Sequence, residues 1–366
     1  MQLELLRPMT TLIRNAWYVA AHAHECSETP LARTLLGEKV VLFRTPDGQA
    51  AALEDRCCHR LAPLSKGDVE ADGIHCRYHG IKFAPSGQCL EIPGQDRISP
   101  KFCVKHFPLV ERDGLLWIWM GEASQADPSL IVDCHWNVDP AWPAAHGYLH
   151  YQADYRLIID NLLDFTHLTF VHRTTLANNA FPNAQPEIEP FERGIRLSRD
   201  IEGVDPSPLH KMGGDFTGKV DFWNRQVWWL PTVFENWAGS VDAGGEGPAH
   251  ERPGGFHLRH FSLLTPETEH TTHYFWIQPC SFPKPHSDLI KKVKIGIDTA
   301  FAEDKDIIES QQRVMAADPS IHPKGISSDK ALNMVRFMNE RLLKAEAAAL
   351  AAVVPADSVV PSGPPR

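Results

Sequence analysis

The chain has 366 residues, of which 43% are hydrophobic and 22% charged, the ordinary balance of a globular protein with room for two domains. Its net charge of −10 argues against nucleic acid or an anionic membrane surface as a partner. The sequence has no run of about 18 apolar residues that could span a membrane. Eight cysteines are too few for a disulfide scaffold, and the first residues lack the features of a signal peptide, so we expect a cytoplasmic protein.

The first part of the chain, from about residue 14 to 120, alternates short apolar runs with turn signals and is therefore expected to be β-rich. Asp47-Gly48 separates two such runs and Asp113-Gly114 separates two more, and Asp-Gly pairs favour the tight turns of hairpins. Two Cys/His motifs fall in loops between these strands, where the backbone is free to surround an inorganic group.

The two motifs form the most informative pattern in the sequence. Cys57 and His59 have the spacing Cys-x-His, and after sixteen intervening residues Cys76 and His79 have the spacing Cys-x-x-His. A zinc finger usually groups cysteines with cysteines and histidines with histidines. In a Rieske [2Fe–2S] centre one iron takes two cysteines and the other takes two histidines, so each loop must offer one ligand of each kind. The pattern therefore predicts a Rieske cluster bound by Cys57, His59, Cys76 and His79.

Cys58 lies beside the first ligand and could compete with Cys57 for the cluster. Only Cys57 keeps the Cys-x-His spacing, so we treat Cys58 as a small buried hydrophobic residue. The competing interpretation is a zinc site, or buried cysteines with surface histidines, but it would leave the complete spacing pattern to coincidence.

The remaining elements follow a boundary expected between about residues 121 and 145, where prolines and Gly121 interrupt the chain. In chain order we predict a helix over residues 155–172 and a β-rich segment over 190–280. Two long helices follow at 288–316 and 329–350, and then a disordered tail at 351–366.

A second constellation of polar residues lies in the first predicted helix. At about 100° per residue, Asp160, Asp164 and His167 share one narrow helix face. His172 follows five residues after His167 and would point about 140° away on an ideal helix, so the helix must bend or end between them if both rings meet one ion. The sequence thus predicts a distortion, such as a π-bulge, near residues 168–171.

Two histidines and one carboxylate with open positions form the ligand set of non-haem Fe(II) oxygenases. The carboxylate can come from a distant segment, and we choose Asp304 on the first of the two long helices. The nearby Glu303, Asp306 and Glu309 are also acidic, and most members of such a helical charge run are solvated.

Together the two motifs resemble the α-subunit of Rieske non-haem iron oxygenases, over about residues 14 to 345. Ile159–Asp164 and Leu263–Thr268 look like the branch that contains the vanillate and dicamba O-demethylase oxygenases, and Ala302–Asp304 looks closest to vanillate O-demethylase. The resemblance implies an α+β chain with an all-β Rieske domain at residues 14–125 and a helix-grip-like catalytic domain at 126–350, in which helices pack on an antiparallel sheet.

The same resemblance implies roles for individual residues. His167, His172 and Asp304 would hold a mononuclear iron, and Asn161 would lie near that iron without binding it firmly. Asp164 would accept a hydrogen bond from His79 of a neighbouring subunit and pass electrons between the two metal centres. Its alternative role, compatible with the first, is a supporting carboxylate that orients His167. Asp160 would support the site or simply begin its helix.

The implied activity is that of a terminal oxygenase in a homotrimer, supplied with electrons by a separate NAD(P)H-dependent reductase. It would use dioxygen to O-demethylate a methoxylated, vanillate-like aromatic acid to a phenol and formaldehyde, and the alternative is N-dealkylation or ring hydroxylation of another aromatic compound. The chain shows no G-x-G-x-x-G fingerprint of its own, which fits electrons that arrive from a partner. Two other classes compete: a Rieske electron carrier without catalysis, and a zinc-stabilised ligand-binding protein.

Overall fold

A computed structural model describes residues 12–27, 29–172, 184–283 and 288–353. The first part of the chain is β-rich, as predicted, and its ten strands form three small antiparallel sheets with the orders β1-β10-β9, β2-β3-β4 and β5-β6-β7-β8. The strands are β1 Trp17–His22, β2 Leu31–Leu35, β3 Glu38–Arg44, β4 Ala50–Glu54, β5 Asp68–Glu70, β6 Gly73–His75, β7 Lys82–Phe83, β8 Cys89–Glu91, β9 Leu109–Arg112 and β10 Leu115–Trp119.

Both predicted Asp-Gly turns are confirmed. Gly48, with φ 93°, lies in the connection from β3 to β4, and Asp113 and Gly114, with φ 56° and 76°, connect β9 to β10. Two consecutive residues with positive φ are what a tight hairpin turn requires, and Asp and Gly tolerate that conformation best.

The second part of the chain is built on one antiparallel sheet of seven strands in the order β11-β17-β16-β15-β14-β13-β12. These strands are β11 Ala144–Tyr151, β12 Glu187–Phe191, β13 Gly194–Val204, β14 Val220–Trp229, β15 Val233–Asp242, β16 Phe256–Pro266 and β17 Thr272–Ser281. The helices are α1 Tyr155–Leu163, α2 Leu168–Val171, α3 Pro208–Gly214, α4 Leu289–Ala317 and α5 Lys330–Val353.

The long helix α4 packs on the sheet because its buried residues recur every three or four positions, at Val293, Ile297, Ala300, Phe301, Asp304 and Ile308. Asp304 is thus a carboxylate in register with an apolar stripe, whereas Asp306 is exposed. Burying a carboxylate is costly unless a positive partner compensates it, so this register makes Asp304 the candidate metal-binding acid of the helix.

The two parts of the chain are joined by hydrogen bonds between residues far apart in sequence. Thr265 Oγ1 donates to the carbonyl of Val19 at 2.7 Å, and the backbone N–H of Leu36 donates to the carbonyl of Pro266 at 2.8 Å. Glu346 on α5 accepts from the backbone N–H groups of Arg14, at 2.9 Å, and Asn15, at 2.6 Å. These contacts attach the first strand to both the sheet and the last helix.

Two sequence predictions require correction, the single helix over 155–172 and the start of the disordered tail. The segment 155–172 is not one helix with a distortion at 168–171, because α1 ends at Leu163 and Asp164 has extended backbone angles. A 3₁₀ turn over Phe165–His167 and the single turn α2 follow, so one break lies before His167, and α2 then ends at Val171, between the two histidines as their spacing predicts. The predicted disordered tail also begins too early, since α5 continues to Val353, and residues 354–366 lie outside the described residues.

Candidate metal centres and substrate cavity

The two Cys/His loops have parallel construction. The N–H of Leu61 donates to the carbonyl of Cys57 at 3.0 Å, and the N–H of Gly80 donates to the carbonyl of Cys76 at 2.9 Å. Leu61 and Gly80 both have positive φ, 61° and 71°. The N–H groups of both cysteines also bond across their loops, to the carbonyls of Ala62 and Ile81 at 2.8 Å. Each loop is therefore a closed turn that presents its cysteine inward.

The four predicted cluster ligands lie together in these loops. Cys57 and Cys76 are buried, and burial together with the neighbouring Cys76 raises the pKa of the Cys57 thiol to about 11. The rings of His59 and His79 are exposed, with centroids 4.6 Å apart. Two inner thiols and two outer imidazoles form two separate pairs, which fits a two-iron core whose irons take different ligands. Cys58 is half-buried and packs against the apolar core of this part, as expected.

The second constellation brings together three of its predicted residues. Donor atoms of His167, His172 and Asp304 lie within 4.8 Å of one another, and in the described part of the chain no other set of three His, Cys, Asp or Glu residues does so. Asp304 Oδ1 is 3.1 Å from His172 Nε2 and 3.6 Å from His167 Nε2. The two imidazoles and the carboxylate thus face one common point, the metal point, with free space beside it. This arrangement suits a ferrous ion that keeps open coordination positions.

The outer nitrogens of both imidazoles are held by acceptors, so that Nε2 of each ring is the atom turned to the metal point. His167 Nδ1 bonds to the backbone carbonyl of Asp164, and His172 Nδ1 bonds to Glu303 Oε2 at 2.9 Å. The sequence did not assign this role to Glu303, because nothing in a run of four helical acids distinguishes a partly buried member from a solvated one.

The pKa values of the two histidines shift in opposite directions. Burial lowers the pKa of His167 and outweighs the attraction of Asp304. Burial also opposes the charged form of His172, but hydrogen bonds and charge from Asp304 and Glu303 outweigh it and raise the pKa of that imidazole.

Asn161 and Asp164 differ in where their side chains lie. Asn161 Nδ2 donates to Asp304 Oδ1 at 3.0 Å and is 3.5 Å from His167 Nε2, so it reaches the metal point itself. Asp164 accepts from the N–H of Thr166 at 2.9 Å and from Ser328 Oγ at 3.0 Å. Its carboxylate lines a separate depression and not the cavity beside the metal point.

Asp160 does not share a face with the site, because the chain breaks at Asp164. Its carboxylate instead pairs with Arg336 and connects α1 to α5. Burial raises the pKa of Asp160 to about 6, although Arg336 opposes the shift. Neither expected role, support of the metal site or a simple helix start, describes this contact.

A cavity of about 120 Å³ opens beside the three metal-binding candidates. Its walls come from the helices α1 to α4 and from the inner face of β14 to β17, and about half of the lining side chains are apolar. The polar residues of the lining outside the metal triad are Asn161, Ser207, His210, Asn224, Asn236, His260 and Gln278. Apart from Asn161, the sequence did not indicate them, and for those on strands the only signal is a polar residue at alternate positions of an otherwise apolar strand.

Arg259 and His260 are adjacent basic residues of β16 with different surroundings. His260 lines the cavity, but successive residues of a strand face opposite sides, so Arg259 lies on the other face. There Arg259 donates to Glu235 at 2.9 Å and stacks 3.7 Å from the ring centroid of Trp136.

Outside the metal triad, the described residues that line the cavity are uncharged at neutral pH. Burial lowers the pKa of His210 to about 3 and of His260 to about 4, so both imidazoles are neutral. His260 is also bonded at both nitrogens, to Gln278 and Ser262 at 2.9 Å. None of the described residues that line the cavity is a lysine or an arginine.

Comparison with known protein families agrees with both centres. Residues 16–108 match the Rieske [2Fe–2S] domain, and residues 151–345 match the vanillate O-demethylase oxygenase C-terminal domain. None of the helices in the described ranges is both long and apolar enough to pass through a lipid bilayer.

Individual relatives cover almost the whole chain. The iron–sulfur subunit of the toluene-4-sulfonate monooxygenase system of Comamonas testosteroni is 44% identical, over 91% of this chain and 98% of its own length. A second C. testosteroni protein, provisionally assigned to such a system, is 50% identical over 92% of this chain and 98% of its own. The oxygenase component of dicamba O-demethylase from Stenotrophomonas maltophilia is 37% identical, over 92% of this chain and all 100% of its own.

Solved structures give the same result. Dicamba monooxygenase bound to 3,6-dichlorosalicylic acid superposes with a TM-score of 0.83 at 36% identity, covering 92% of this chain and 99% of that one. The same enzyme with non-haem iron and dicamba superposes with a TM-score of 0.78 at 34% identity, covering 93% and 99%. The protein therefore belongs to the Rieske non-haem iron oxygenases, as the oxygenase component of a monooxygenase system that uses a [2Fe–2S] cluster, a mononuclear iron and dioxygen and depends on a separate reductase.

Proposed function

We propose that this oxygenase hydroxylates a methyl group carried by a small aromatic anion. The observation that carries the proposal is a single cavity that has the metal-binding candidates and neutral hydrogen-bond donors in one otherwise apolar lining. A ring can be held by the apolar walls while its methyl group faces the metal point and its anionic group meets the amides.

The size of the cavity argues against ligands much larger than a single aromatic ring. Its volume is about 120 Å³, and an engineered apolar cavity of roughly 150 Å³ binds benzene. Phenylalanine side chains from the helices and the sheet, Phe165, Phe222, Phe234 and Phe301, surround this space and suit contact with an aromatic face.

The names of the relatives support two forms of the same reaction. Toluene-4-sulfonate and vanillate are both single rings with an anionic group and a methyl group, attached to the ring directly in the first and through oxygen in the second. In either case R–CH₃, O₂, NAD(P)H and H⁺ give R–CH₂OH, H₂O and NAD(P)⁺. The hydroxylated aryl methyl group is a stable alcohol, whereas a hydroxylated methoxy group is a hemiacetal that collapses to a phenol and formaldehyde.

The relatives at 50% and 44% identity favour the aryl methyl group as the site of oxidation. The vanillate-like O-demethylation expected from the sequence is the second candidate, and the match of residues 151–345 to the vanillate O-demethylase family favours it.

In this proposal His167, His172 and Asp304 hold the mononuclear iron, and Cys57, His59, Cys76 and His79 hold the cluster. The iron would supply dioxygen activation and the cluster single electrons. Asp164 and Glu303 fix the ring orientation of the two histidines through their Nδ1 atoms. Asn161 donates to the carboxylate of Asp304 and limits how that ligand can turn.

We also infer that Asp164 passes electrons from the cluster of a second copy in a homotrimer. Two surfaces support this inference. The rings of His59 and His79 are exposed at the tip of their loops, beside Leu61 and Tyr78, which are 62% and 65% exposed. Asp164 lines a depression whose walls include the polar residues Ser327, Ser328 and Arg199, which suits the entry of a partner's imidazole.

The test is turnover by the anaerobically purified enzyme, with its reductase, of toluene-4-sulfonate, 4-methoxybenzoate and vanillate. We expect 4-(hydroxymethyl)benzenesulfonate from the first, or formaldehyde in equal amount to phenol from the others, each with one O₂ consumed. Products oxygenated on the ring carbon, or turnover of N-alkyl arenes only, would contradict the proposal and favour ring hydroxylation or N-dealkylation.

A further inference from the structure

Arg199 is a buried cation directly behind the polar wall of the cavity. It lies on β13, is 8% exposed, and is not itself among the residues that line the cavity. Its Nη1 donates to Asn224 Oδ1 and to Gln226 Oε1, both at 3.2 Å, and its Nε donates to the carbonyl of Ala184 at 3.0 Å. Burial lowers the pKa of this guanidinium to about 10, which still leaves it charged at neutral pH.

The chemistry of arginine decides the orientation of the next two residues. A guanidinium can only donate hydrogen bonds, so the atom of Asn224 that faces Arg199 must be its oxygen. The amide nitrogen of Asn224 then points to Asn236 and donates to its Oδ1 at 2.6 Å. The oxygen of Asn236 is thereby used, and its NH₂ group is left as the end of the series.

That last NH₂ group belongs to the cavity. Asn236 lines the cavity together with Asn224, and no acceptor for its Nδ2 is found among the described residues. A side-chain amide can usually turn by 180° and offer either its NH₂ donor or its oxygen acceptor. Here the guanidinium of Arg199, which can only donate, fixes the orientation of Asn224, and Asn224 in turn fixes that of Asn236. The cavity therefore presents a donor, polarised by a cation that never touches the ligand.

We propose that Arg199 is a positioning residue that sets the hydrogen-bond polarity of the cavity, so that Asn236 donates to an anionic group of the substrate. The inference rests on the proposed function, because it assigns the means by which that cavity selects an aromatic anion. Without the guanidinium, either amide can turn, and a carbonyl oxygen facing the cavity repels a sulfonate or carboxylate.

The test compares each anion with a neutral molecule of nearly the same shape. The probes are toluene-4-sulfonate with toluene-4-sulfonamide, and 4-methoxybenzoate with 4-methoxybenzamide, and their Kd values are measured by calorimetry on the iron-loaded enzyme. Arg199→Met should weaken binding of each anion roughly tenfold or more, the loss expected for a hydrogen bond to a charged group. Binding of the neutral probes should change less than about threefold.

Three further variants separate this role from simple support of the fold. Arg199→Lys retains a buried cation and a donor and should restore most of the anion preference. Asn236→Asp keeps the acceptor used by Asn224 but replaces the cavity-facing NH₂ with oxygen, so it should lose anion binding even if Arg199→Met does not fold. Arg196 is exposed on the same strand and only stacks on Phe191, so Arg196→Met should behave as the wild-type enzyme.

Equal weakening of the anionic and neutral probes, or a wild-type enzyme without anion preference in either pair, overturns the role of Arg199. The proposed function fails differently. It fails when the wild-type enzyme binds the anions selectively, and loses that selectivity in Arg199→Met, yet oxidises neither methyl group.

Discussion

At the scale of single residues, the chemistry of a side chain and its burial together distinguish the metal-binding candidates from their neighbours. Asp304 is 6% exposed on a helix whose other buried residues are apolar, and Asp306, two positions later, is exposed. The difference between them lies only in their position on the helix, which makes the pair a direct test of which carboxylate holds the iron.

Asp304→Ala should lose the mononuclear iron and keep the cluster. The expected iron content falls from about three to about two per chain, since a Rieske cluster holds two, and turnover is abolished. Asp306→Ala is the matched control and should retain both iron content and turnover. Metal analysis together with the EPR signal of the reduced cluster measures both, and loss of iron in Asp306→Ala alone would show that the wrong carboxylate was chosen.

At the scale of elements, the break between α1 and α2 gives Asp164 two separate functions. Its backbone carbonyl holds His167 Nδ1, and its carboxylate points to Ser328 and the depression. Because the carbonyl belongs to the backbone, a change of side chain can remove one function and leave the other.

Asp164→Asn should therefore keep both metals and lose most turnover. The amide retains the size of the carboxylate but not its charge, so it cannot pair with a protonated imidazole of another subunit. Single-turnover measurements with a chemically reduced cluster follow the rate of electron transfer to the iron. Ser328→Ala, which leaves the carboxylate in place, is the control, and full activity of Asp164→Asn with normal iron would remove the electron-transfer role.

The sequence predicted these elements unevenly. Hairpin turns at Asp47-Gly48 and Asp113-Gly114 and the long helix α4 follow from local signals, and local signals are what a single sequence contains. The break at Asp164 does not follow from local signals, because an Asp can adopt extended backbone angles at little cost in free energy and its sequence neighbours do not reveal that it does so. Asn224 and Asn236 were also missed, since their significance depends on Arg199, which only the register of β13, β14 and β15 brings beside them.

At the scale of the whole molecule, the proposed route of electrons between subunits makes the assembly the active unit. We expect co-expression of a chain without a cluster, Cys76→Ala, and a chain without mononuclear iron, Asp304→Ala, to restore part of the activity. Mixed trimers would contain a cluster of one chain beside an iron site of the other. Neither variant alone should turn over substrate, and mass measurement of the purified complex confirms that both chains are present. A mixed assembly with no activity would mean that electrons travel within one chain.

The contact of Glu346 with the backbone of Arg14 and Asn15 has a consequence for synthesis of the protein. A ribosome releases the first strand long before the helix that secures it, since 331 positions separate the two ends of this contact. The β-rich N-terminal part must consequently remain without this contact until translation is nearly complete, although β1 can already pair with β10 and bond to Thr265.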